Sequence, residues 1–599
     1  MGKEKLNKKE VKARVMCLLD QNPNDFFTLK KLFGALRFTT HPIKMLCVDV
    51  LNALYDEGKI IIGDNNTVRR GRSERRERSE RREAKRRKTK DDNQVMHEIL
   101  QEYGLPYGYP NDIAKYDEQF TPEISKRELS KREDFRDVLT FTIDPHDAKD
   151  FDDALSLRVI TGTGGKKGSA VYEVGVHIAD VSHYVREGSP LDEEALRRGT
   201  SIYLVDRTIP MLPERLCNFI CSLRPDEEKL TYSVIFEMNE KADVLSYHIA
   251  RTVIKSNRRF TYDEVDEVLS SHKSDNQEYT KALTSLHNLA TKLHERRLQS
   301  GAIEFNRDEM RFEVDEEGHP TGIYFHESTP ATSLIEEFML LANRTVAEHI
   351  GSKRPAKTFP YRVHDVPDTD KLRTLAQFVK KLHYSLNAEG SKEQVTKSLN
   401  KLLTDVREES TQKLVTNIAL RAMMKAKYST NNIGHYGLGF NYYTHFTSPI
   451  RRYPDILVHR LLTRYIKGGA SVSKRKYEHL CEHASNMEQL ATAAERASVK
   501  YKMVEFLNDR VGQQFDATIV GVTAYGIFSE INENHCEGFT NCRLLSRRRE
   551  AFDFDEQNFC LTSRRSHERF QIGDQIRIRI AKTNIDRKTV DFDFIKKIK

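Results

Sequence analysis

The sequence contains no tryptophan, and only eight of its 599 residues are cysteines. No two cysteines form a Cys-x-x-Cys pair, so neither a disulfide framework nor a zinc ribbon is predicted, and Cys217 and Cys221 are expected to be buried thiols. No apolar run approaches the roughly 20 residues of a membrane helix, which excludes a membrane span. The charged first residues are not typical of a secretory signal, so a soluble, cytoplasmic protein is expected.

The net charge of +8 comes from one short segment. Between Arg69 and Lys90 there are 13 lysines or arginines and four glutamates, while the other 577 residues together carry a charge of −1. This segment has one alanine and no larger apolar side chain, so it cannot bury a core and is expected to be a solvated linker over residues 69–91. Its cations can bind phosphates of any sequence. The alternative is a linker that only keeps the protein soluble.

Residues 1–68 have the pattern of a small helical module. Apolar residues recur at helical spacing over 11–19, Thr28 is placed to cap a second short helix, and a third apolar series covers 43–54. Residues 59–62 have the composition of a strand. Three short helices followed by a strand and a polar hairpin are typical of a winged helix-turn-helix, whose third helix and wing contact nucleic acid. The alternative is a helical module that binds proteins.

The most informative segment follows an expected strand over residues 139–143. Five aspartates fall within the ten residues from Asp144 to Asp153. So many carboxylates on one turn repel one another unless a cation offsets them, and oxygen ligands favour Mg²⁺ or Mn²⁺ over zinc. A calcium loop of the EF-hand type would need Gly and Glu where this sequence has Lys149 and Leu155. A metal site is therefore predicted, with a solvated acidic loop as the alternative.

The spacing of these aspartates resembles the signature of the ribonuclease II/R (RNB) family of exoribonucleases. Further segments resemble blocks of that family in the same order, at residues 176–185, 199–203, 209–213, 334–339 and 445–455. Together the blocks extend over roughly residues 92–507. The resemblance implies an α/β multidomain protein in which a large α+β RNB catalytic domain occupies residues 92–507.

The resemblance also implies a role for each matched polar residue. Asp144, Asp150 and Asp153 correspond to ligands of one or two Mg²⁺ ions, with Mn²⁺ as an alternative. Asp152 corresponds to the residue that orients the attacking water, and Asp150 and Arg451 are expected with it as catalytic residues. Arg451 resembles the arginine that binds the scissile phosphate, for which its planar fork of donors is suited. The alternative for Arg451 or Arg452 is a structural ion pair.

Four further matches concern the RNA itself. Tyr203 and Phe305 resemble the two side chains between which the family stacks the last bases at the 3′ end, and stacking tolerates any sequence. Tyr262 resembles a tyrosine that packs near the terminal nucleotide, and Glu336 a carboxylate that contacts its sugar. Each aromatic residue could instead belong to the core. Ser333 and Glu336 together could instead form a helix-capping box.

Residues 508–599 alternate apolar and polar side chains in five expected short strands with glycines at the turns. This pattern resembles the OB-fold RNA-binding barrel first described in a ribosomal protein. Phe515, Tyr525 and Phe528 are expected near its binding face, although Phe515 could equally belong to the barrel core. RNA contacts by these aromatic residues would add to those of the catalytic domain.

The sequence departs from the family between the helical module of residues 1–68 and the catalytic domain of residues 92–507. Members of the R type, which this sequence resembles most, place two cold-shock barrels between the helix-turn-helix and the catalytic domain. Residues 69–91 are too few to form even one such barrel. We expect catalysis to survive this loss, with weaker RNA binding and a steeper salt dependence, because the Arg-rich linker and the remaining barrel must supply the phosphate contacts.

The resemblance therefore implies a processive, hydrolytic, magnesium-dependent 3′-to-5′ exoribonuclease that releases nucleoside 5′-monophosphates. Its expected partners are single-stranded and structured RNA with a free 3′ end, with contacts to the ribosome or the decay machinery, and a monomer without membrane contacts is expected. The alternative function is that of a catalytically impaired RNA-binding or regulatory protein that lacks the cold-shock barrels.

Overall fold

The structure is a computed structural model that describes residues 6–22, 27–56, 59–63, 67–70, 94–160, 170–305, 309–315, 318–407, 412–546, 550–555 and 560–598. Residues 71–91 of the predicted Arg-rich linker lie outside these residues, and its first two positions, Arg69 and Arg70, belong to the strand Thr67–Arg70. The chain divides into two compact units, Met1–Val95 and Met96–Lys599.

The first unit combines helices with a small antiparallel sheet. Its helices are Lys8–Gln21, Leu29–Ala35 and His41–Asp56, and its strands, in sheet order, are Phe27–Thr28, Thr67–Arg70 and Ile60–Gly63. The first helix begins after Asn7, whose side chain accepts a hydrogen bond from the backbone of Glu10 in a capping box. Buried Val11, Val15 and Leu19 lie on one face of this helix, at the spacing that the sequence predicts.

A seven-stranded mixed sheet organises the second unit. Its strands, in spatial order, are Arg258–Thr261, Thr140–Asp144, Asp153–Ile160, Val171–Ala179, Glu228–Asn239, Val244–Lys255 and Glu133–Phe135. The pairs at the two edges are parallel, and the four pairs between them are antiparallel. The strands Thr140–Asp144 and Asp153–Ile160 are therefore neighbours, joined by the loop that carries the acidic cluster.

Helices cover this sheet and bury the largest apolar cluster of the molecule. The α-helices of this unit before the barrel are Asn111–Asp117, Lys126–Leu129, Val181–Tyr184, Pro190–Arg198, Tyr262–Ser271, Gln277–Gln299, Pro330–Gly351, Thr369–Lys381, Lys392–Asp405, Gln412–Ala422, Tyr453–Ile466 and Lys474–Asn508, with a further helix over 94–102. A π-helix spans Leu216–Ile220, and 3₁₀ turns span Tyr436–Leu438 and Cys542–Leu544. Two-stranded sheets pair Ile202–Tyr203 with Thr208–Ile209, Glu309–Val314 with Pro320–His326, and Tyr361–Val363 with Lys427–Ser429.

The C-terminal segment is a closed five-stranded barrel. Its strands follow the order Gln514–Thr523, Gly526–Ile531, Glu537–Asn541, Thr589–Lys597 and Gln575–Asn584. A separate three-stranded sheet, which the sequence pattern did not predict, consists of Phe552–Asp555, Cys560–Ser563 and Arg569–Gln571. Met503 and Leu507 at the end of the long helix Lys474–Asn508 belong to the apolar core of the barrel.

All eight cysteines are free thiols, and Cys217 and Cys221 are buried as predicted. Across the part of the chain that the structure describes, no helix combines the length and the apolar character that crossing a bilayer requires.

Candidate active site

The antiparallel pairing of two strands brings the first and last residues of the acidic cluster, Asp144 and Asp153, to the same end of the sheet. Asp144 is the last residue of one strand and Asp153 the first residue of the next, and the two strands run antiparallel with Phe141 opposite Leu155. Because the second of two adjacent antiparallel strands begins beside the end of the first, the two carboxylates approach each other. The nearby carboxylate of Asp153 contributes to the raised pKa of Asp144, as this proximity requires.

The loop between these strands is held by hydrogen bonds to its backbone. Ser222 Oγ accepts a hydrogen bond from the amide of Phe151 (3.0 Å) and donates one to the carbonyl of Lys149 (2.8 Å). The amide of Ala179 donates to the carbonyl of Asp152 (2.9 Å). Asp150 and Asp152 therefore stand on a fixed backbone, and this favours a preorganised site.

The buried carboxylate of Asp152 faces Arg451. The backbone amide of Ile450 donates to Asp152 Oδ1 (2.9 Å), and Arg451 Nε lies 3.4 Å from Asp152 Oδ2. Arg451 Nη2 donates to Ser448 Oγ (3.0 Å), and its side chain is 45% exposed whereas that of Asp152 is 4% exposed. The arginine thus reaches from the acidic cluster to the surface, where a substrate phosphate can meet it.

Burial dominates the electrostatics of the four predicted site aspartates. It raises the pKa of Asp144 to about 8 and that of Asp153 to about 6. It also raises the pKa of Asp150, and it raises the pKa of Asp152 well above its ordinary value although the Arg451 guanidinium opposes the shift. Without a further cation, the ionised cluster is therefore costly to maintain.

The donor chemistry of the cluster fits a hard divalent cation. Among the described residues, Asp144 Oδ2 and Asp152 Oδ2 are buried oxygens with no hydrogen-bond partner, a situation that a bound cation would relieve. The same described residues contain no group of three His, Cys, Asp or Glu side chains already close enough to hold one ion. The cluster has the oxygens for such an ion, but in this structure they are not drawn together around a single point.

The structure distinguishes Arg451 from its neighbour. Arg452 Nε and Nη2 donate to the two carboxylate oxygens of Asp455 at 2.9 and 2.8 Å, and Asp455 is fully buried. The alternative of a structural ion pair therefore holds for Arg452, whereas Arg451 faces the acidic cluster.

The segment that precedes Tyr203 brings this side chain close to Arg451 and the acidic cluster. The amide of Ser201 and the hydroxyl of Thr200 both donate to the carbonyl of Arg451 (3.0 Å each), so this segment pairs with the arginine turn. Burial raises the pKa of Tyr203 to about 12, and the Arg451 guanidinium opposes that shift, which places the phenol close to the cluster.

Gly199 allows this approach. It has a φ of +70°, and a Cβ atom at this position would lie 2.6 Å from Cβ of Met487. A glycine is required here both by the backbone conformation and by the contact with the long helix.

Tyr262 lies beside the first aspartate because of the parallel strand pair at the sheet edge. Thr261 is opposite Asp144 in that pair and caps the helix that Tyr262 begins. Burial and the carboxylates of Asp153 and Asp144 raise the pKa of the Tyr262 phenol.

Phe305 and Glu336 each lie apart from the acidic cluster, since none of their described contacts reaches the four aspartates. Phe305 packs against the apolar cluster around Leu399 and Tyr436. Glu336 is exposed, and its carboxylate lies 3.9 Å from Arg297 Nη2. The capping-box alternative for Glu336 is wrong, because the helix begins at Pro330 with Thr329 as its N-cap, which places Ser333 inside it.

The predicted aromatic residues of the barrel differ in exposure. Tyr525 is 77% exposed and Phe528 is 41% exposed, with the Phe528 ring centroid 5.1 Å from that of Phe539. Phe515 is partly buried and packs against the barrel core. Tyr525 and Phe528 thus offer accessible ring faces, whereas Phe515 mainly supports the barrel.

Sequence reasoning missed two groups that position the cluster. One is the amide of Ile450, which no sequence pattern reveals because every residue except proline has one. The other is Arg259, whose Nη2 donates to the carbonyl of His146 (2.9 Å) and whose charge lowers the pKa of Asp144. Arg259 stands three residues before Tyr262 in the matched Arg-Phe-Thr-Tyr segment, where it could have been noticed.

Comparison with known proteins gives two domain matches. The RNB domain matches residues 132–468, and the S1 RNA binding domain matches residues 508–593. The chain belongs to the RNB family. The first match includes all four site aspartates, Arg451 and the segment with Tyr203, and the second includes four of the barrel strands and the first part of Thr589–Lys597.

Named relatives within the RNB family are similar over most of this chain. Ribonuclease R of Aquifex aeolicus is 37% identical over 506 residues, which are 84% of this chain and 70% of that protein. Ribonuclease R of Escherichia coli is 31% identical over 83% of this chain and 61% of its own length.

The same similarity holds among solved structures. RNase R of Mycoplasma genitalium in complex with ribose-methylated single-stranded RNA superposes with a TM-score of 0.77 at 26% identity, covering 84% of this chain and 78% of that chain. Yeast Ssd1, described as a pseudonuclease, has a TM-score of 0.61 at 20% identity over 78% of this chain and 57% of its own, which shows a shared fold alone.

Proposed function

We propose that this chain is a processive 3′-to-5′ exoribonuclease that hydrolyses RNA to nucleoside 5′-monophosphates. The observation that carries this function is the pairing of buried Asp152 with partly exposed Arg451 at 3.4 Å, beside three more aspartates. The names of the family relatives support the same activity, since those from Aquifex, Lactococcus and Thermotoga are all ribonuclease R proteins.

Each polar residue of the cluster has a part in the proposed hydrolysis. The exposed part of Arg451 binds the scissile phosphate, and its fork of donors matches two phosphate oxygens. Asp152 Oδ2 accepts no described hydrogen bond, although Arg451 Nε lies 3.4 Å away, and we assign this oxygen to orienting a water molecule against the phosphorus atom. The amide of Ile450 fixes the other oxygen of this carboxylate, which sets its direction.

Magnesium is the proposed cofactor, with Mn²⁺ as the alternative. Asp144, Asp150 and Asp153 would hold one or two ions, and the unpartnered buried oxygen of Asp144 is the feature that fits this role. A divalent ion bound there supplies charge to stabilise the pentavalent phosphate and the leaving oxygen.

The aromatic side chains give the proposed path of the RNA. Tyr203 stacks on a base near the 3′ end together with Phe305, while Tyr262 packs near the terminal nucleotide and Glu336 contacts its sugar. For Tyr203 and Tyr262 this proposal is supported by their proximity to the aspartates. Phe305 and Glu336 have no described contact with the aspartates, so their part in this path is supported by their match to the family pattern alone.

The barrel is proposed to hold the RNA upstream of the cleavage site. Tyr525 and Phe528 provide stacking surfaces, with Phe515 as their support. Structures of the Mycoplasma relative are described with single-stranded and with double-stranded RNA. We infer that this chain likewise accepts single-stranded and structured RNA.

The N-terminal unit is proposed to act as a winged helix-turn-helix that contacts nucleic acid, and the Arg-rich linker as a phosphate clamp. Its three helices and antiparallel hairpin support this assignment for the unit. A monomeric state, a cytoplasmic location and contacts with the ribosome or the decay machinery remain predictions.

The Asp152→Asn variant tests the proposed activity. We expect it to release nucleoside 5′-monophosphates from labelled single-stranded RNA at least about 100-fold more slowly than the wild type, because general-base catalysis contributes roughly 10²–10⁴-fold. RNA binding should persist. The matched control is Asp147→Asn, the same change in the same loop at an exposed side chain.

Two results would count against the proposal. Equal activity of the Asp152→Asn variant and the wild type would remove Asp152 from the chemistry. A wild type that binds RNA but yields no mononucleotides, with Mg²⁺ as with EDTA, would instead support the alternative of a non-catalytic RNA-binding protein.

A further inference from the structure

The acidic loop has a second side, which lines a groove of about 300 Å³. Ala148, Lys149 and Phe151 contribute to this groove, whereas Asp150 and Asp152 do not. Its size is at the lower end of the roughly 300–1,000 Å³ that is usual for ligand pockets. The same short loop therefore borders the proposed active site and a separate recess.

An exposed aromatic ring forms one wall of the groove. Phe219 is 54% exposed, although Leu216, Cys217 and Ile220 of the same π-helix are buried. π-helical turns are rare and are frequent at functional sites. A phenyl ring left accessible on an otherwise buried turn is suited to stacking on a nucleobase, since every base has a π-face.

Most of the accessible lining of the groove is apolar, and the charged side chains among its lining residues are all basic. Arg224 and Arg259 line it together with the exposed Lys149. The Arg224 guanidinium lies 5.1 Å from the ring centroid of Phe219. It also forms a surface ion pair with Glu227 at 3.2 Å. Because such surface pairs are weak, a phosphate can replace Glu227 as its partner. Arg259 lies 5.4 Å from the ring centroid of Phe151.

Cations next to an exposed aromatic ring are the features that recognise a nucleotide. A base alone would contact only the ring of Phe219, and a phosphate alone would contact only the basic side chains. A groove of this size accommodates a base and a phosphate together. Asn218, which also lines the groove, can donate to and accept from the edge of a base. An extended polynucleotide would instead need an open groove with repeated aromatic and basic groups.

We propose that this groove binds a nucleoside 5′-monophosphate, with its base on Phe219 and its phosphate between Arg224 and Lys149. The proposal rests on the proposed function, because hydrolysis on the other side of the loop would supply this ligand as its product. Arg259 connects the two sides: its charge acts on Asp144, and its guanidinium belongs to the groove.

The absence of tryptophan from the sequence gives this proposal a direct test. The Phe219→Trp variant contains a single tryptophan, whose fluorescence is titrated with AMP in EDTA, where the protein does not turn over RNA. We expect saturable quenching by AMP with a Kd at or below about 1 mM. Adenosine and inorganic phosphate, each lacking half of the ligand, should require at least about tenfold higher concentrations, equivalent to about 1.4 kcal/mol.

Two further variants make the titration specific. Adding Arg224→Gln to Phe219→Trp should weaken AMP binding at least about tenfold, since Arg224 is a surface side chain whose loss leaves the fold intact. The matched control, Tyr324→Trp, also places a single tryptophan at an exposed aromatic position, but outside the groove, and should show no saturable quenching.

The outcomes separate this site from the proposed activity. The site is refuted if AMP gives no saturable quenching, if adenosine binds as well as AMP, if Arg224→Gln has no effect, or if a 5′-phosphorylated oligonucleotide binds more tightly than AMP. Activity is measured separately as release of mononucleotides from RNA by the wild type with Mg²⁺. Loss of that activity would contradict the proposed function, whereas the titration in EDTA would still report on the groove.

Discussion

Replacement of Arg451 and Arg452, one at a time, by alanine should have opposite consequences. Arg452 is paired through two hydrogen bonds of 2.9 and 2.8 Å with Asp455, which is 0% exposed. Removing Arg452 leaves that carboxylate buried without its ion-pair partner, although the amide of Ser448 still donates to it (2.8 Å), and this should cost about 3–5 kcal/mol. Arg451 is 45% exposed and lies 3.4 Å from Asp152, so its removal should cost less than about 1 kcal/mol of stability.

The order is reversed for activity. Arg451 is proposed to stabilise charge on the phosphate, and removal of one such donor lowers turnover by roughly 10²–10³-fold. Thermal unfolding and mononucleotide release are measured for both variants, with activity assayed well below the melting temperature of each. The reasoning is refuted if Arg452→Ala leaves the melting temperature unchanged, or if Arg451→Ala keeps wild-type turnover of RNA.

Three further predictions concern the glycine contact, the barrel and the linker. Gly199→Ala should lower both the melting temperature and the turnover of RNA, because its Cβ would lie 2.6 Å from Cβ of Met487. The control is Gly188→Ala, which has a similar φ of +75° but no atom within 4 Å of its Cβ. Equal effects of the two substitutions would contradict the role of the contact with Met487. Tyr525→Ala should weaken RNA binding by about 1–3 kcal/mol in a filter assay without changing the melting temperature, and an unchanged affinity would remove this ring from the binding face. Deleting residues 71–90, which leaves the strand Thr67–Arg70 complete, should reduce the slope of log K against log salt by about 0.7 for each phosphate that the linker neutralises, and an unchanged slope would rule out the phosphate clamp.

The acidic cluster could be predicted from the sequence because its members are close along the chain. Asp144 ends one recognisable strand and Asp153 begins the next, with the other aspartates in the short loop between them. Pairing of these two adjacent strands therefore keeps the carboxylates close together. Arg451 is about 300 residues away, and only the resemblance to the family connected it with Asp152. The structure explains this connection through the amide of Ile450, which donates to the Asp152 carboxylate.

The remaining parts of the site depend on contacts that a linear pattern does not contain. The sequence offered Arg451 and Arg452 as equivalent candidates for an ion pair, and only the direction of each side chain separates them. The capping box of Ser333 and Glu336 satisfied a local rule, yet the helix begins one turn earlier because Thr329 and Pro330 supply a cap and a preorganised first residue. Tertiary placement, which propensity does not determine, decided both cases.

The long helix Lys474–Asn508 joins the proposed cleavage site to the barrel. At about 1.5 Å per residue its 35 residues extend over roughly 50 Å. Met487 packs on Gly199, Ser498 Oγ accepts a hydrogen bond from the amide of Val205 (3.3 Å), and Leu507 enters the barrel core. Gly199 and Val205 flank Tyr203 in the chain, so the segment around Tyr203 and the barrel are both attached to this one helix. The spacing between Tyr203 and the exposed rings of the barrel is therefore set by the fold, so an RNA bound to both surfaces, as proposed, would meet them at a fixed separation.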